Sequence, residues 1–296
     1  MSISVIIPTL NAGDQLKALL DALKKQTVKP DEILVVDSQS EDHTCLLAEQ
    51  SGAKVVLVKR EEFDHGRTRD MALRMAAGDM IVFMTQDALP VNDCFLANLI
   101  APLADAEVAA VGGRQVARKD ARPFERLVRM HNYPAVNRKW SAQDIGTLGV
   151  RAFLISDVCA VYRRESYLAV GGFDYPILTN EDMLMAERLL HAGYKLAYSG
   201  DAAVYHSHHF TLAQEYRRNL IIGKTMKRYE KRFEHVGELG TGVKLVKDVL
   251  RDLIREGHFI ECFSFAANCA ARLLGNRVGR YQEERRMARR ERETCV

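Results

Sequence analysis

The sequence predicts an α/β protein: a mostly parallel central sheet with helices on both faces. Two observations carry that expectation. Short Val/Ile-rich runs, apolar at nearly every position, recur through the first half of the chain, as strands buried on both faces require. Between them lie segments of helical period, and a strand–helix–strand alternation makes neighbouring strands parallel.

The runs are Ile3 to Pro8, Glu32 to Asp37, Lys54 to Val58, Met80 to Thr85 and Val108 to Val111. The first helix is expected over Asp14 to Gln26, where Leu16, Leu19, Leu20 and Leu23 fall on one stripe. His43 to Gln50 and Thr68 to Ala77 are the next helices, each followed by a glycine, Gly52 and Gly78, that suits a helix stop. Residues 115 to 155 read as loops and short helices over the sheet edge. Leu154 to Tyr162 and Lys195 to Tyr198 read as strands flanking a helix at Glu181 to His191. Beyond residue 211 the chain reads as charged helix. The expected division is 1–210 as one α/β unit and 211–296 as a helical extension with a basic tail.

Composition removes several classes. The chain has 296 residues, 47% apolar, enough for a sizeable core. A net charge of +3 gives no argument for nucleic acid. Six scattered cysteines (Cys45, Cys94, Cys159, Cys262, Cys269 and Cys295) form no CxxC pair, so reduced thiols are expected rather than zinc or a disulfide framework. No leader-like segment precedes the first strand, and no apolar stretch reaches about 18 residues, so a cytoplasmic location is expected. No phosphate-binding G-x-x-x-x-G-K-[ST] loop and no G-x-G-x-x-G after the first strand are present, which disfavours a P-loop ATPase and a dinucleotide-binding domain.

Ligands of open parallel sheets bind beyond the carboxyl ends of strands, which points to Thr9 to Gly13, Asp37 to Asp42 and Gln86-Asp87. Asp37 there can accept the N3–H of a pyrimidine or simply fix a turn. Asp87 can be a hard ligand for a divalent cation or a turn residue before Pro90. Asp182, in Asn180-Glu181-Asp182, can be a general base or part of a capped first helical turn. His206 and His208 share a strand face and are either metal or phosphate contacts or surface histidines.

In order, these residues resemble family 2 of the glycosyltransferases, which have the GT-A fold. The resemblance spans about residues 1 to 210. It rests on Val5-Ile6-Ile7-Pro8-Thr9-Leu10-Asn11, Ile33-Leu34-Val35-Val36-Asp37-Ser38, Thr68-Arg69-Asp70, Ala77-Gly78-Asp79, Gln86-Asp87, Gly171-Gly172-Phe173-Asp174 and Glu181-Asp182. It implies an inverting transferase using a nucleotide-sugar donor, dTDP- or UDP-linked, and Mg2+ or Mn2+. It assigns Pro8, Thr9, Asn11, Asp37, Arg69, Gln86 and Asp87 to the nucleotide-sugar, Asp87 and His206 to the metal, and Asp182 to the base. Thr85 replaces the first carboxylate of the family's DxD motif, which weakens metal binding or makes the chain a binding module without catalysis. Asp70 stands where Asn is usual.

Phe63-Asp64-His65-Gly66-Arg67-Thr68-Arg69, Thr85-Gln86-Asp87-Ala88, Gly113-Arg114-Gln115 and His206-Ser207-His208 are similar to the branch that uses dTDP-L-rhamnose to build cell-surface polysaccharide. The acceptor, a glycan or lipid-linked hydroxyl, is expected around His131, Trp140 and Asp157. The stripe Phe259, Ile260, Phe263, Ala266, Ala267, Ala270, Leu273 and Leu274, followed by Arg277, Arg280, Arg285, Arg286, Arg289, Arg290 and Arg292, suits either peripheral membrane contact or packing on protein.

Overall fold

The computed structural model describes residues 1–234, 236 and 239–294; Cys295 lies outside them. In chain order the elements are β1 (Ile3–Thr9), α1 (Gly13–Lys25), β2 (Glu32–Asp37), α2 (Thr44–Gln50), β3 (Lys54–Leu57), α3 (His65–Met75), β4 (Met80–Met84), β5 (Leu89–Pro90), α4 (Phe95–Ile100) and β6 (Val108–Val116). They continue with α5 (Pro123–Asn132), β7 (Arg138–Trp140), α6 (Ile145–Leu148), β8 (Cys159–Arg163), α7 (Arg164–Ala169), α8 (Glu181–His191), β9 (Lys195–Tyr205), α9 (Leu212–Arg228), α10 (Leu239–Arg255) and α11 (Phe259–Thr294).

The sheet runs β3-β2-β1-β4-β8-β6-β9-β5, with β7 also on β9. Its first half is parallel, as the β-α-β alternation requires. β6 and β9 are parallel to each other, and β8 is antiparallel to both β4 and β6. The sheet separates two apolar cores. One packs Ile6, Phe83, Tyr162 and Phe173 against α3 and α8; the other packs Val5, Ile7, Val82 and Val161 against α1 and α4. Leu16, Leu19, Leu20 and Leu23 of α1 are all buried, each worth about 1.5–3 kcal/mol of transfer free energy. Truncating one, as in Leu20→Ala, leaves a cavity and costs about 2–5 kcal/mol.

α3 starts a turn earlier than the apolar pattern indicates, because the Asp64 side chain accepts from Arg67 N at 2.9 Å and caps it. The expected strand from Leu154 begins only at Cys159, since 149–153 form a 3-10 turn and Asp157 is drawn inward. β6 and β9 run further than expected, to Val116 and Tyr205, and their pairing jumps from Ser199 to Ala203 at a bulge. Asp70 is structural: it accepts from Tyr167 Oη at 3.0 Å and pairs with Arg74 at 2.7 Å.

Behind β9, α11 crosses α9 at close range. A Cβ on Gly279 would lie 2.0 Å from Leu220 O, and one on Gly275 would lie 2.3 Å from Tyr216 O. A third apolar group joins Phe124 and Leu127 of α5 to Val249, Leu253 and Phe265 of α10 and α11. Among the described residues no helix is long and apolar enough to cross a membrane.

Candidate active site

The carboxyl ends of β1, β2 and β4 meet at one rim. Gln86 closes β4 onto β1: its Oε1 accepts from Leu10 N at 2.9 Å and its Nε2 donates to Leu10 O at 3.2 Å. Asn11, in the left-handed region at φ 49°, donates its N–H to Ser40 Oγ and accepts from Glu41 N. Pro8 precedes Thr9, whose hydroxyl donates to Asp37 Oδ2 at 2.9 Å. Ser40 adds a backbone and a hydroxyl bond to the same carboxylate, at 2.8 and 2.6 Å. Asp37 therefore fixes its own loop. The Cys45 thiol bonds the same carboxylate, which is fully buried, so its roughly four lone-pair sites are all engaged from within the protein.

Asp87 reaches the second group through strand pairing. The two-residue β5 pairs Leu89 with Tyr205, which sets Asp87 opposite the residues that follow β9. Asp87 Oδ2 lies 3.5 Å from His206 Nε2 and 3.7 Å from His208 Nδ1. One ligand atom from each residue falls within 4.8 Å of the others. Burial pushes the His206 imidazole down to about 3 and lowers His208 as well, so both are neutral at physiological pH. His206 Nδ1 lies 3.0 Å from Gln115 Oε1. Gln115 is itself oriented, its Nε2 donating to Tyr133 Oη and Ser156 Oγ. Arg129 Nη1, a donor, also lies 3.2 Å from that Nδ1, so Gln115 favours the Nδ1–H tautomer that a metal ligand at Nε2 needs and Arg129 opposes it. One carboxylate and two neutral imidazoles fit a divalent cation.

The third group lies at the start of α8. Asn180 is left-handed at φ 64° and makes no side-chain cap, so the capped first turn, one of the two readings of Asn180-Glu181-Asp182, is absent. The turn instead directs Glu181 inward, where it is 5% exposed. Arg69, buried on α3, donates to Glu181 Oε1 at 2.9 Å and lies 3.5 Å from Asp157 Oδ2. Burial pulls the Arg69 pKa down, but Glu181 and Asp157 more than offset it. Asp182 accepts from Asp157 N at 3.3 Å and from Met183 N. Burial, and then the neighbouring Glu181 charge, push Asp182 up to about 7. Asp157 is also raised, by burial first, despite its guanidinium partner. One arginine thus faces three carboxyl groups, and Asp182 is the one poised to exchange a proton near neutrality.

Against known proteins, the model of "Glycosyl transferase family 2" matches residues 4–171. The chain belongs to glycosyl transferase family 2. It is 36% identical over 264 residues to the O-antigen chain rhamnosyltransferase RfbN of Salmonella typhimurium, covering 88% of this chain and 83% of that one. The rhamnosyltransferase WbaN of Salmonella anatum is 36% identical over 262 residues, covering 87% and 83%. Among solved structures, a mannosyltransferase from Pyrobaculum calidifontis, in complex with GDP-Man and Mn2+, matches the fold with a TM-score of 0.63 at 20% identity, over 95% of this chain and 86% of that one.

Within this family 2 fold, the expected residues divide into three groups. Pro8, Thr9, Asn11, Asp37 and Gln86 are together on one rim; Asp87 and His206 meet at the imidazole pair; Arg69 sits with Asp182 at α8 rather than at the rim. Sequence reasoning named His208 beside His206 as a candidate metal or phosphate contact, but passed over Gln115 as the His206 partner and Glu181 as the charge beside Asp182. The alternation His206-Ser207-His208 was the signal that singled out both histidines. Nothing in the sequence pairs Glu181 with Arg69 across 112 positions. His131 and Trp140 do not face the site: His131 bonds Asp252, and Trp140 donates to Ala152 O within the core.

Proposed function

We propose that the chain transfers L-rhamnose from dTDP-L-rhamnose, with inversion, to a hydroxyl of a glycan or lipid-linked acceptor in cell-surface polysaccharide synthesis. The observation that carries the mechanism is the conjunction of a three-ligand cation site with an Asp182 whose pKa is raised to about 7. The two rhamnosyltransferase relatives support the sugar. The acceptor oxygen attacks the anomeric carbon as its proton passes to Asp182, and the bond from that carbon to the diphosphate breaks. A bound Mn2+ or Mg2+ would supply Lewis-acid stabilisation of the leaving diphosphate. Asp87, His206 and His208 would hold it; Thr85 contributes no carboxylate, and His208 makes up the third ligand. Asp37 and Thr9 hold the pyrimidine side, and Arg69 keeps Glu181 and Asp157 in place around the base.

A thermal-shift series on the full chain with Mn2+ tests the donor. Stabilisation ranks affinity at equal concentration. dTDP and dTDP-rhamnose should stabilise more than UDP-glucose or GDP-mannose; a larger shift with UDP-sugars favours the second reading, a UDP-dependent transferase, and a GDP preference rejects both.

The division at about residue 210 and a peripheral membrane location at the inner face of the plasma membrane belong to the same reading. α11 packs on α9 by one face and leaves Phe259, Ile260 and Phe263 at 63%, 82% and 80% exposure, with Leu273 and Leu274 on the same side. Arg277, Tyr281 and Arg285 continue that face at helical spacing. An exposed apolar stripe ending in arginines suits anionic lipid. Sedimentation with phosphatidylglycerol vesicles should carry the protein down at low salt and not after Phe259→Ser with Phe263→Ser; recovery in the supernatant for both proteins rejects the membrane reading.

A further inference from the structure

Phe63-Asp64-His65-Gly66 leads into α3 and belongs to none of the three groups of the site. Its backbone is fixed from two sides. The loop 58–64 follows β3 along the rim, where Val58 N donates to Asp37 O at 2.8 Å and Arg60 N to Gln39 Oε1 at 3.0 Å. Asp64 caps α3 with one carboxylate oxygen and with the other accepts from Ile177 N at 2.6 Å. Gly66 packs so tightly on the chain ahead of α8 that a Cβ there would lie 2.1 Å from Asp174 O. His65 therefore stands between the rim and the carboxyl groups at α8, its Nδ1 4.0 Å from Glu181 Oε1.

The imidazole is fixed as well. Arg69 Nη1, which donates to Glu181 Oε1, lies 3.1 Å from His65 Nδ1. A guanidinium has no acceptor, so Nδ1 accepts, and the one proton of a neutral ring is on Nε2. Burial lowers the His65 pKa and outweighs the Glu181 charge, so the ring is neutral at physiological pH. The Phe63 ring meets it edge-on at 5.1 Å. The Nε2–H has no hydrogen-bond partner among the described residues, and with the side chain 44% exposed it is open to a ligand.

We propose that His65 Nε2–H hydrogen-bonds a hydroxyl of the transferred sugar, which makes His65 a specificity-determining residue. The inference rests on the transferase reading and adds a residue that recognises the sugar rather than the nucleotide. A pyranosyl group that leaves the diphosphate and is attacked beside Asp182 presents its hydroxyls to the polar groups around Asp182. Arg69, Glu181 and Asp157 are committed to one another. The imidazole N–H is the donor left over among them. Its ring is already held in one orientation, so little freedom is lost on binding, and no charge has to be desolvated. A site that pairs a particular hydroxyl discriminates against sugars that lack it there.

The test is calorimetric titration of the full chain, with saturating Mn2+, by dTDP and by dTDP-rhamnose. Wild type should bind dTDP-rhamnose more tightly than dTDP. His65→Leu should weaken dTDP-rhamnose by about threefold to tenfold, the worth of one hydrogen bond, and leave dTDP unchanged. His65→Gln, whose amide offers an N–H at similar reach, should keep most of the difference. Equal weakening of both ligands would give His65 a part only in the rim loop and overturn the proposal. So would an unchanged difference in His65→Leu, or wild type binding both ligands equally. If His65→Leu does not fold, the 15N shift of the wild-type His65 ring, assigned with His65→Gln, decides: it should move with dTDP-rhamnose and not with dTDP, and a shift that ignores the sugar overturns the contact. If dTDP fails to bind wild type, the dTDP-donor reading falls, and UDP against UDP-glucose reads the same difference for His65.

Discussion

Two carboxylate groups at opposite ends of the site are treated differently by their surroundings. At the rim, Asp37 is surrounded by donors from its own and the adjacent loop: Thr9, and Ser40 twice. At α8, Glu181 and Asp157 share one guanidinium, and Asp182 beside them is raised to about 7 by burial and by Glu181. Saturating a carboxylate with hydrogen bonds fixes geometry, which suits holding a nucleotide. Crowding carboxylates in a dry place keeps a proton exchangeable, which suits catalysis. A third group, one carboxylate and two imidazoles made neutral by burial, could hold a cation.

Substitutions at each end should separate these roles. The largest effect is expected from Asp182→Asn, which keeps the shape and removes the base. Transfer should fall by about 10²–10⁴-fold while calorimetry shows unchanged dTDP binding. Wild-type turnover would return Asp182 to a purely structural part in the first turn of α8. Asp87→Ala should abolish the difference in dTDP affinity between Mn2+ and EDTA. Gln115→Leu, which frees the His206 ring without removing a ligand, should weaken Mn2+ by about 10–100-fold. An unchanged Mn2+ titration there would mean that the imidazole needs no orienting partner.

Smaller effects concern stability. Gly279→Ala forces a Cβ against Leu220 O and should cost about 1–3 kcal/mol in urea unfolding. Asp182→Asn should raise Tm by a few degrees at pH 8 and by less at pH 5. The sign follows from the raised pKa. The folded state holds a proton that the unfolded state, with an ordinary carboxyl near 3.8, releases. The wild type therefore loses stability as pH rises from about 3.8 to about 7, and the full cost is present above that. A Tm difference that does not depend on pH would point to packing alone.

How far the sequence carried these conclusions differs between the same regions. Glu32–Asp37 and Glu181–His191 were legible to the residue, because buried runs and an apolar helical stripe are local signals. The extension of β6 and β9 was not, because Gly112, Gly113 and Gly200 read as breaks, and only the partner strand supplies their ladder. α5 falls in the stretch read as loops and short helices, its bounds not placed, although Pro123 at its first turn was an available start signal. Asp37, Asp87, Asp182 and His206 were singled out as candidates through their order along the family's motifs. The Arg69 triangle depends on contacts more than 50 residues apart, and no period or motif in the sequence encodes it.

The central claim is that Asp182 is the base and that its neighbours bring its pKa near neutrality. The direct measurement is kcat/KM against pH, from about 5 to 9, for wild type and Glu181→Gln. The wild-type profile should rise on an acidic limb with an apparent pKa near 7. Removing the Glu181 charge should move that limb to lower pH, and Asp182→Asn should erase it. A flat wild-type profile, or a limb that persists unchanged in Asp182→Asn, would contradict the account.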